Sequence, residues 1–314
     1  MADNLIKNNA TDESDFVIED GVLVTYLGHS RNVIIPHTVR EIGENAFAES
    51  NIKTVTIPNS VTKIGVLAFR ECENLEEVII PDSVTHIDAG AFDDCDSLES
   101  IIIPDTVIYL GHGAFSGCGN LTSVVIGKGI KSLACAFSHC ISLTEIIIPD
   151  NITEIGYNEF DWCLKLENIV IPDSITSIGN EAFSYCEKLK KIVIPDSVIH
   201  IGESVFNGCD SLRLIKAPER LRGLIKPDCG APTHIQYYLT EKGRKEQELK
   251  KRQLEEKRIE EQRIEKEKKR IEKEKMIREE WRSQGLCQYC GHKYKGLFKK
   301  VCSYCGKSKD YNSK

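Results

Sequence analysis

The chain is 314 residues long, 41% hydrophobic and 28% charged, with a formal net charge of −7 and a mean hydropathy of −0.27. The charge is divided: residues 241–314 hold 24 Lys and Arg against 14 Asp and Glu, a net +10, so residues 1–240 carry −17. That asymmetry excludes a uniform globule, and aliphatic runs no longer than three residues, such as Ile101 to Ile103, exclude a membrane-spanning helix, which needs about 20 apolar residues.

Residues 1–14 are polar, lack apolar anchors and are expected to be disordered. The start, Met1-Ala-Asp-Asn-Leu-Ile-Lys7, lacks the apolar stretch of a secretory signal. A cytoplasmic location is therefore expected, in which the 13 cysteines act as reduced thiols and metal ligands rather than as a disulfide framework. Within residues 15–35, Phe16-Val-Ile-Glu-Asp-Gly-Val-Leu-Val-Thr-Tyr26 sets an Asp-Gly turn between two alternating runs. That is the pattern of a β-hairpin, here expected to cap the first rung of a repeat array.

Residues 36–217 repeat with a period of 22 to 23: Phe47, Phe69, Phe92, Phe115, Phe137, Phe160, Phe183 and Phe206 keep step, and an Ile-Pro step recurs, with Gly127 once in the proline's place. Eight copies of such a period signify a solenoid. In each unit a segment such as Leu98-x-x-Ile101-x-Ile103 reads as a short strand with alternate side chains buried. Pro104-Asp105 turns the chain, because proline lacks the next ladder donor. Val107-x-x-Leu110-Gly111 reads as a second extended piece, and Gly113-Ala-Phe-Ser-Gly-Cys118 as a tight helical turn that drives Phe115 inward. Stacked at about 4.8 Å per rung, the units share one core about 40 Å long. The expected fold class is a β-rich repeat solenoid, closed by a C-terminal cap over residues 218–240.

The repeat Ile-Pro-Asp-Ser-Val-Thr-x-Ile-Gly-x-x-Ala-Phe-x-x-Cys-x-x-Leu-x-x-Ile-x-Ile resembles the BspA-like leucine-rich repeats. The resemblance implies a leucine-rich-repeat solenoid that binds proteins. It also brings in relatives at the cell surface that bind host matrix, an adhesin role disfavoured by the absence of a signal sequence. Cys72, Cys95, Cys118, Cys140, Cys163, Cys186 and Cys209 share one slot. A metal ladder or disulfides between rungs would use them, but a slot beside a core phenylalanine favours plain buried thiols.

The residue between the two inward aliphatics of each strand should face outward. Ile79, Ile102, Val125, Ile147, Val170 and Val193 would then form an apolar stripe between Thr56 and Lys216, beside a polar row that includes Glu77, Ser100 and Glu145. A stripe of that size is expected to dock a partner protein, although β-branched residues also simply suit strands. The eight His are scattered, with neither a paired zinc motif nor a nucleophile elbow, and no enzyme is expected.

Residues 241–282 turn to Glu, Lys, Arg and Gln, strong helix formers, with pairs such as Glu246/Lys250 and Glu265/Lys269 at i,i+4. Leu249, Leu254, Ile259, Ile264 and Ile271 step by five or seven, which scatters them around the helix instead of building a coiled-coil seam. A single charged helix about 63 Å long is expected, acting as a spacer, in a chain expected to be monomeric. In residues 283–314, Cys287-Gln-Tyr-Cys290-Gly291 and Cys302-Ser-Tyr-Cys305-Gly306 make two CxxC knuckles whose thiolates suit one tetrahedral zinc. The pattern resembles a zinc ribbon with a closed, structural site; rubredoxin-like iron is the minor alternative. Lys293, Tyr294, Lys295, Phe298, Lys299 and Lys300 suit an acidic protein surface, or RNA or DNA through phosphate contacts and stacking. The function expected is a non-enzymatic scaffold that joins two protein partners, with nucleic-acid association through the ribbon as the alternative.

Overall fold

The computed structural model describes residues 12–226, 234–238 and 242–283. The chain divides into two units, Met1–Lys242 and Gly243–Lys314. In the first, a hairpin of β1 (Phe16–Glu19) and β2 (Val22–Tyr26) pairs antiparallel around Asp20 and Gly21. Both turn residues have positive φ, 49° and 84°, as a two-residue hairpin turn requires. A β-solenoid of about nine turns follows.

Each rung has two extended pieces. The three-residue strands, such as Thr54–Thr56 and Glu77–Ile79, pair parallel and in register with the strand one period on, so like faces like. The two-residue strands, such as Glu41–Ile42, Lys63–Ile64 and His86–Ile87, form a second parallel ladder that starts from β2. Proline opens the turn between them: the carbonyl of Pro81 accepts from the N–H of Val84 at 3.0 Å, and that of Pro104 from Val107 at 3.2 Å. In rung 127–148, where Gly127 replaces proline, residues 131–132 form no strand, and the short-strand ladder breaks between Tyr109–Leu110 and Glu154–Ile155.

The third side of each rung departs from the expected helical turn. The chain makes successive i to i+3 turns: Ala68, Arg70 and Cys72 donate to the carbonyls of Gly65, Leu67 and Phe69, while Leu67, Phe69 and Glu71 donate to Ala89, Ala91 and Asp93 of the next rung at 2.8–3.0 Å. The alternation follows from two left-handed residues per rung, two positions either side of the phenylalanine. In this rung they are Leu67, with φ 53°, and Glu71, with φ 55°. Left-handed geometry costs a non-glycine residue about 1–2 kcal/mol. Here it frees alternate N–H groups to bond across rungs, which a continuous helix would forbid.

The phenylalanines are fully buried and stack. Phe47, Phe69, Phe92 and Phe115 follow one another at centroid distances of 4.9–5.1 Å with interplanar angles of 7° or less. Tyr26 and Phe16 of the hairpin continue the column at 5.1 and 5.3 Å. At the other end His234–Tyr238 adds a parallel strand to Leu214–Pro218, and Leu221 and Ile225 are buried. In the second unit, α1 (Lys242–Ser283) is one 42-residue helix on which Leu254, Ile264, Ile271 and Met276 are exposed. Glu255/Arg258 and Glu267/Arg270 form i,i+3 ion pairs on it.

Candidate interaction surfaces

The seven cysteines of the shared slot are buried thiols, not disulfides. Each thiol points toward the rung before it and donates to the carbonyl of that rung's phenylalanine: Cys95 to Phe69 at 3.1 Å, Cys118 to Phe92 at 3.2 Å, Cys209 to Phe183 at 3.0 Å. Burial pushes the Cys72 thiol up to about 11 and those of Cys95, Cys118, Cys140 and Cys186 well above the usual range. Burial of this kind suits thiols that pack beside the phenylalanines. Among the described residues no cluster of three or more His, Cys, Asp or Glu is placed to hold a metal ion.

On the face of the three-residue strands the outward row is only partly open. Ile79, Ile102, Ile147 and Val193 are half-buried, Val170 is 39% exposed and Val125 only 6%. The stripe expected as contiguous and exposed is thus a shallow row with one gap. The reason is its spacing: with rungs about 4.8 Å apart, each side chain is shielded by its neighbours above and below, and the short Val125 lies in register between longer isoleucines. Ionic charge on these eight strands is balanced, Glu77 and Glu145 against Lys191 and Lys216.

The turn side is different. The eight turn segments, from 44–52 in the first rung to 203–211 in the last, carry thirteen Asp and Glu against three Lys and Arg. The left-handed position two residues after each phenylalanine makes a column down this side: Glu49, Glu71, Asp94, Gly117, His139, Trp162, Tyr185 and Gly208. Within it His139 stacks on Trp162 at 6.0 Å and Trp162 on Tyr185 at 4.6 Å. Trp162 and Tyr185 are 40% and 37% exposed. The Tyr185 ring leans over Gly208, where a Cβ would meet it at 2.6 Å. Sequence reasoning missed this ladder, although its signal is the 23-residue spacing of His139, Trp162 and Tyr185.

Two acids lie beneath the ladder. Glu159 is 1% exposed in the slot that alanine fills in most rungs. Its Oε2 accepts from Gly156 N at 3.3 Å, and burial pushes its carboxyl up to about 7 against the pull of the Cys135, Gly156 and Ala136 N–H groups. Asp161 is 7% exposed, and burial raises its carboxyl above the usual range. A Ser184 hydrogen bond and the nearby His139 oppose that rise. Glu159 Oε1 and Asp161 Oδ1 have no hydrogen-bond partner among the described residues.

The expected zinc ligands Cys287, Cys290, Cys302 and Cys305, and the expected contact residues Lys293, Tyr294, Lys295, Phe298, Lys299 and Lys300, lie outside the described residues. No helix among the described residues is long and apolar enough to cross a membrane.

A family model described as the BspA type leucine-rich repeat region, in six copies, matches residues 26–135 and 134–226. Among solved structures, a leucine-rich repeat protein from Bacteroides ovatus is 32% identical, with a TM-score of 0.51 over 67% of this chain. This chain spans 63% of the length of that protein. A leucine-rich repeat protein of T. pallidum is 24% identical over 73% of this chain and 100% of its own, with a TM-score of 0.48. One from Eubacterium ventriosum is 24% identical over 63% and 51%, with a TM-score of 0.45. Among curated proteins none matches.

Proposed function

Because the chain belongs to the BspA-type leucine-rich repeat family, we propose that it is a non-enzymatic scaffold whose solenoid holds one protein partner while the C-terminal segment presents a zinc-bound module to a second. The observation that carries the first half is the row Ile79, Ile102, Ile147, Val170 and Val193. Repeated in register at about 4.8 Å, with charge balanced around it, it offers an apolar strip to a partner segment laid along the strands. Val125 belongs to the floor of that strip.

The second half rests on the donor set. Four thiols in two CxxC pairs, Cys287 with Cys290 and Cys302 with Cys305, suit one tetrahedral Zn²⁺, and Gly291 and Gly306 let the chain turn tightly after each pair. So short a segment draws most of its folding energy, on the order of 10 kcal/mol, from the metal. The seven Lys against one Asp in residues 283–314 suit an acidic protein surface; they also favour nucleic acid as the second reading, marked by steep salt dependence. A cytoplasmic setting that keeps the thiols reduced belongs to this proposal.

The test is a tagged capture from native lysate with and without nuclease, run in parallel on Ile102→Asp/Val170→Asp and on Cys302→Ser. The scaffold reading expects a defined protein that survives nuclease and is lost in the double variant, with melting lowered by only about 5 °C. It also expects one zinc per chain by elemental analysis, absent in Cys302→Ser. A catch that is nucleic acid, lost both with nuclease and in Cys302→Ser, makes the ribbon the working head instead. A double variant that unfolds shows that the row is core.

A further inference from the structure

The left-handed column holds glycine at Gly117 and Gly208 and side-chain-bearing residues elsewhere. Within it Trp162 and Tyr185 stand at φ 58° and 53°, each more than a third exposed. Non-glycine residues fill most left-handed positions of the turns, so what sets this pair apart is exposed aromatic surface, which stability alone does not select. The rest of the column supplies the chemistry of an occupant. Its first three members, Glu49, Glu71 and Asp94, are acids, and the turn side has a formal excess of ten acidic residues while the strands are balanced. Asp161, next to Trp162 and more than nine-tenths buried, keeps one carboxylate oxygen without a donor among the described residues.

We propose that this column, acidic at one end and aromatic at the other, docks an extended, arginine- or lysine-rich segment of a partner protein. The ring faces of the ladder are occupied by one another, so the exposed edges serve as an apolar rail for the aliphatic stems of the basic side chains. The cationic heads pair with the column's carboxylates, and Asp161 beneath the rings adds a carboxyl group to the site from below. From Glu49 to Tyr185 is six rung intervals, about 29 Å, which an extended chain covers in roughly nine residues. The surface lies on the turns, not on the strands that carry the Ile102/Val170 row, so it stands or falls independently of that reading.

The experiment is fluorescence anisotropy on the full-length protein with a labelled decapeptide of alternating arginine and alanine, an alternating glutamate and alanine control, and maltohexaose as a neutral competitor. Trp162→Gly/Tyr185→Gly puts at these left-handed positions the residue of Gly117 and Gly208. Asp161→Ser puts there the serine of Ser138 and Ser184 and decides the question if the double variant does not fold. Expected are binding of the basic peptide alone, affinity that falls as salt rises, a loss of about tenfold in the glycine pair and about threefold in Asp161→Ser, and no change in Ile102→Asp/Val170→Asp. Unchanged affinity in a folded column variant, equal binding of the acidic peptide, or displacement by the sugar overturns the proposal.

Discussion

Glu159 occupies the slot held by Ala46, Ala68, Ala91, Ala114, Ala136 and Ala182 in other rungs, and its buried carboxyl gives the solenoid a response to pH. Its carboxyl is pushed up to about 7 in the folded chain, against an ordinary 4.5. A raised carboxylate contributes stability that is fully present below the unfolded value and is lost as pH climbs toward the folded one. The loss therefore falls between pH 4.5 and about 7 and amounts to about 3 kcal/mol. Glu159→Ala should flatten that slope and leave the variant more stable than the parent at pH 8, as read by denaturant unfolding across pH. A parent whose stability does not fall over this range would show that Glu159 ionises freely. At this scale the sequence told only part of the story. The cysteine slot beside each phenylalanine announced buried thiols, but their donation to the preceding rung's carbonyls needs the register. Likewise Asn158-Glu159-Phe160 does not reveal that its glutamate points inward until neighbouring rungs show what the slot encloses.

Among elements, rung 127–148 is the exception that explains the rule. A Cβ on Gly127 would lie 2.2 Å from Pro104 O, and one on Gly129 2.2 Å from Val107 O. These glycines exist because the backbone of the rung before comes too close for any side chain. Gly129→Ala should therefore cost about 2 kcal/mol or more, a cost set by displacing rigid backbone. Amides of residues 127–135, which lack a short-strand ladder, should exchange hydrogen faster than those of residues 104–112. Equal protection of the two stretches would mean that the break in the ladder carries no local weakness. The Ile-Pro steps made strand ends legible because proline's chemistry is local. The paired left-handed turns were not legible, since Leu67, Glu71 and Trp162 are residue types that give no sign of positive φ. Bonds to the next rung impose that conformation, and no window of one repeat contains them.

For the solenoid the deciding feature is a column of rings that begins in the hairpin and runs from Phe16 to Phe137. Phe16 and Tyr26 cover the end of the stack at Phe47, and Leu23 is fully buried beside them. Deleting residues 1–27 should expose that end. At about 1.5–3 kcal/mol for each large apolar side chain, the chain should lose several kcal/mol and begin to self-associate, measured by thermal unfolding and light scattering. Retained melting and a monomeric profile would show that the first rung closes itself. The solenoid was legible because eight copies of one pattern state the same geometry eight times over. The aromatic ladder was harder to see, since three adjacent rungs share it and the other five put glycine or an acid in its place.

The in-register pairing of rungs 22 to 23 residues apart also has a genetic meaning. An in-frame gain or loss of one period leaves each surviving rung beside a neighbour of similar shape. The length of both faces is thus set by copy number and changes in one step without a new contact having to be invented. Close approach of successive backbones, as at Gly111, Gly127 and Gly179, fixes which slots of an added rung must stay glycine.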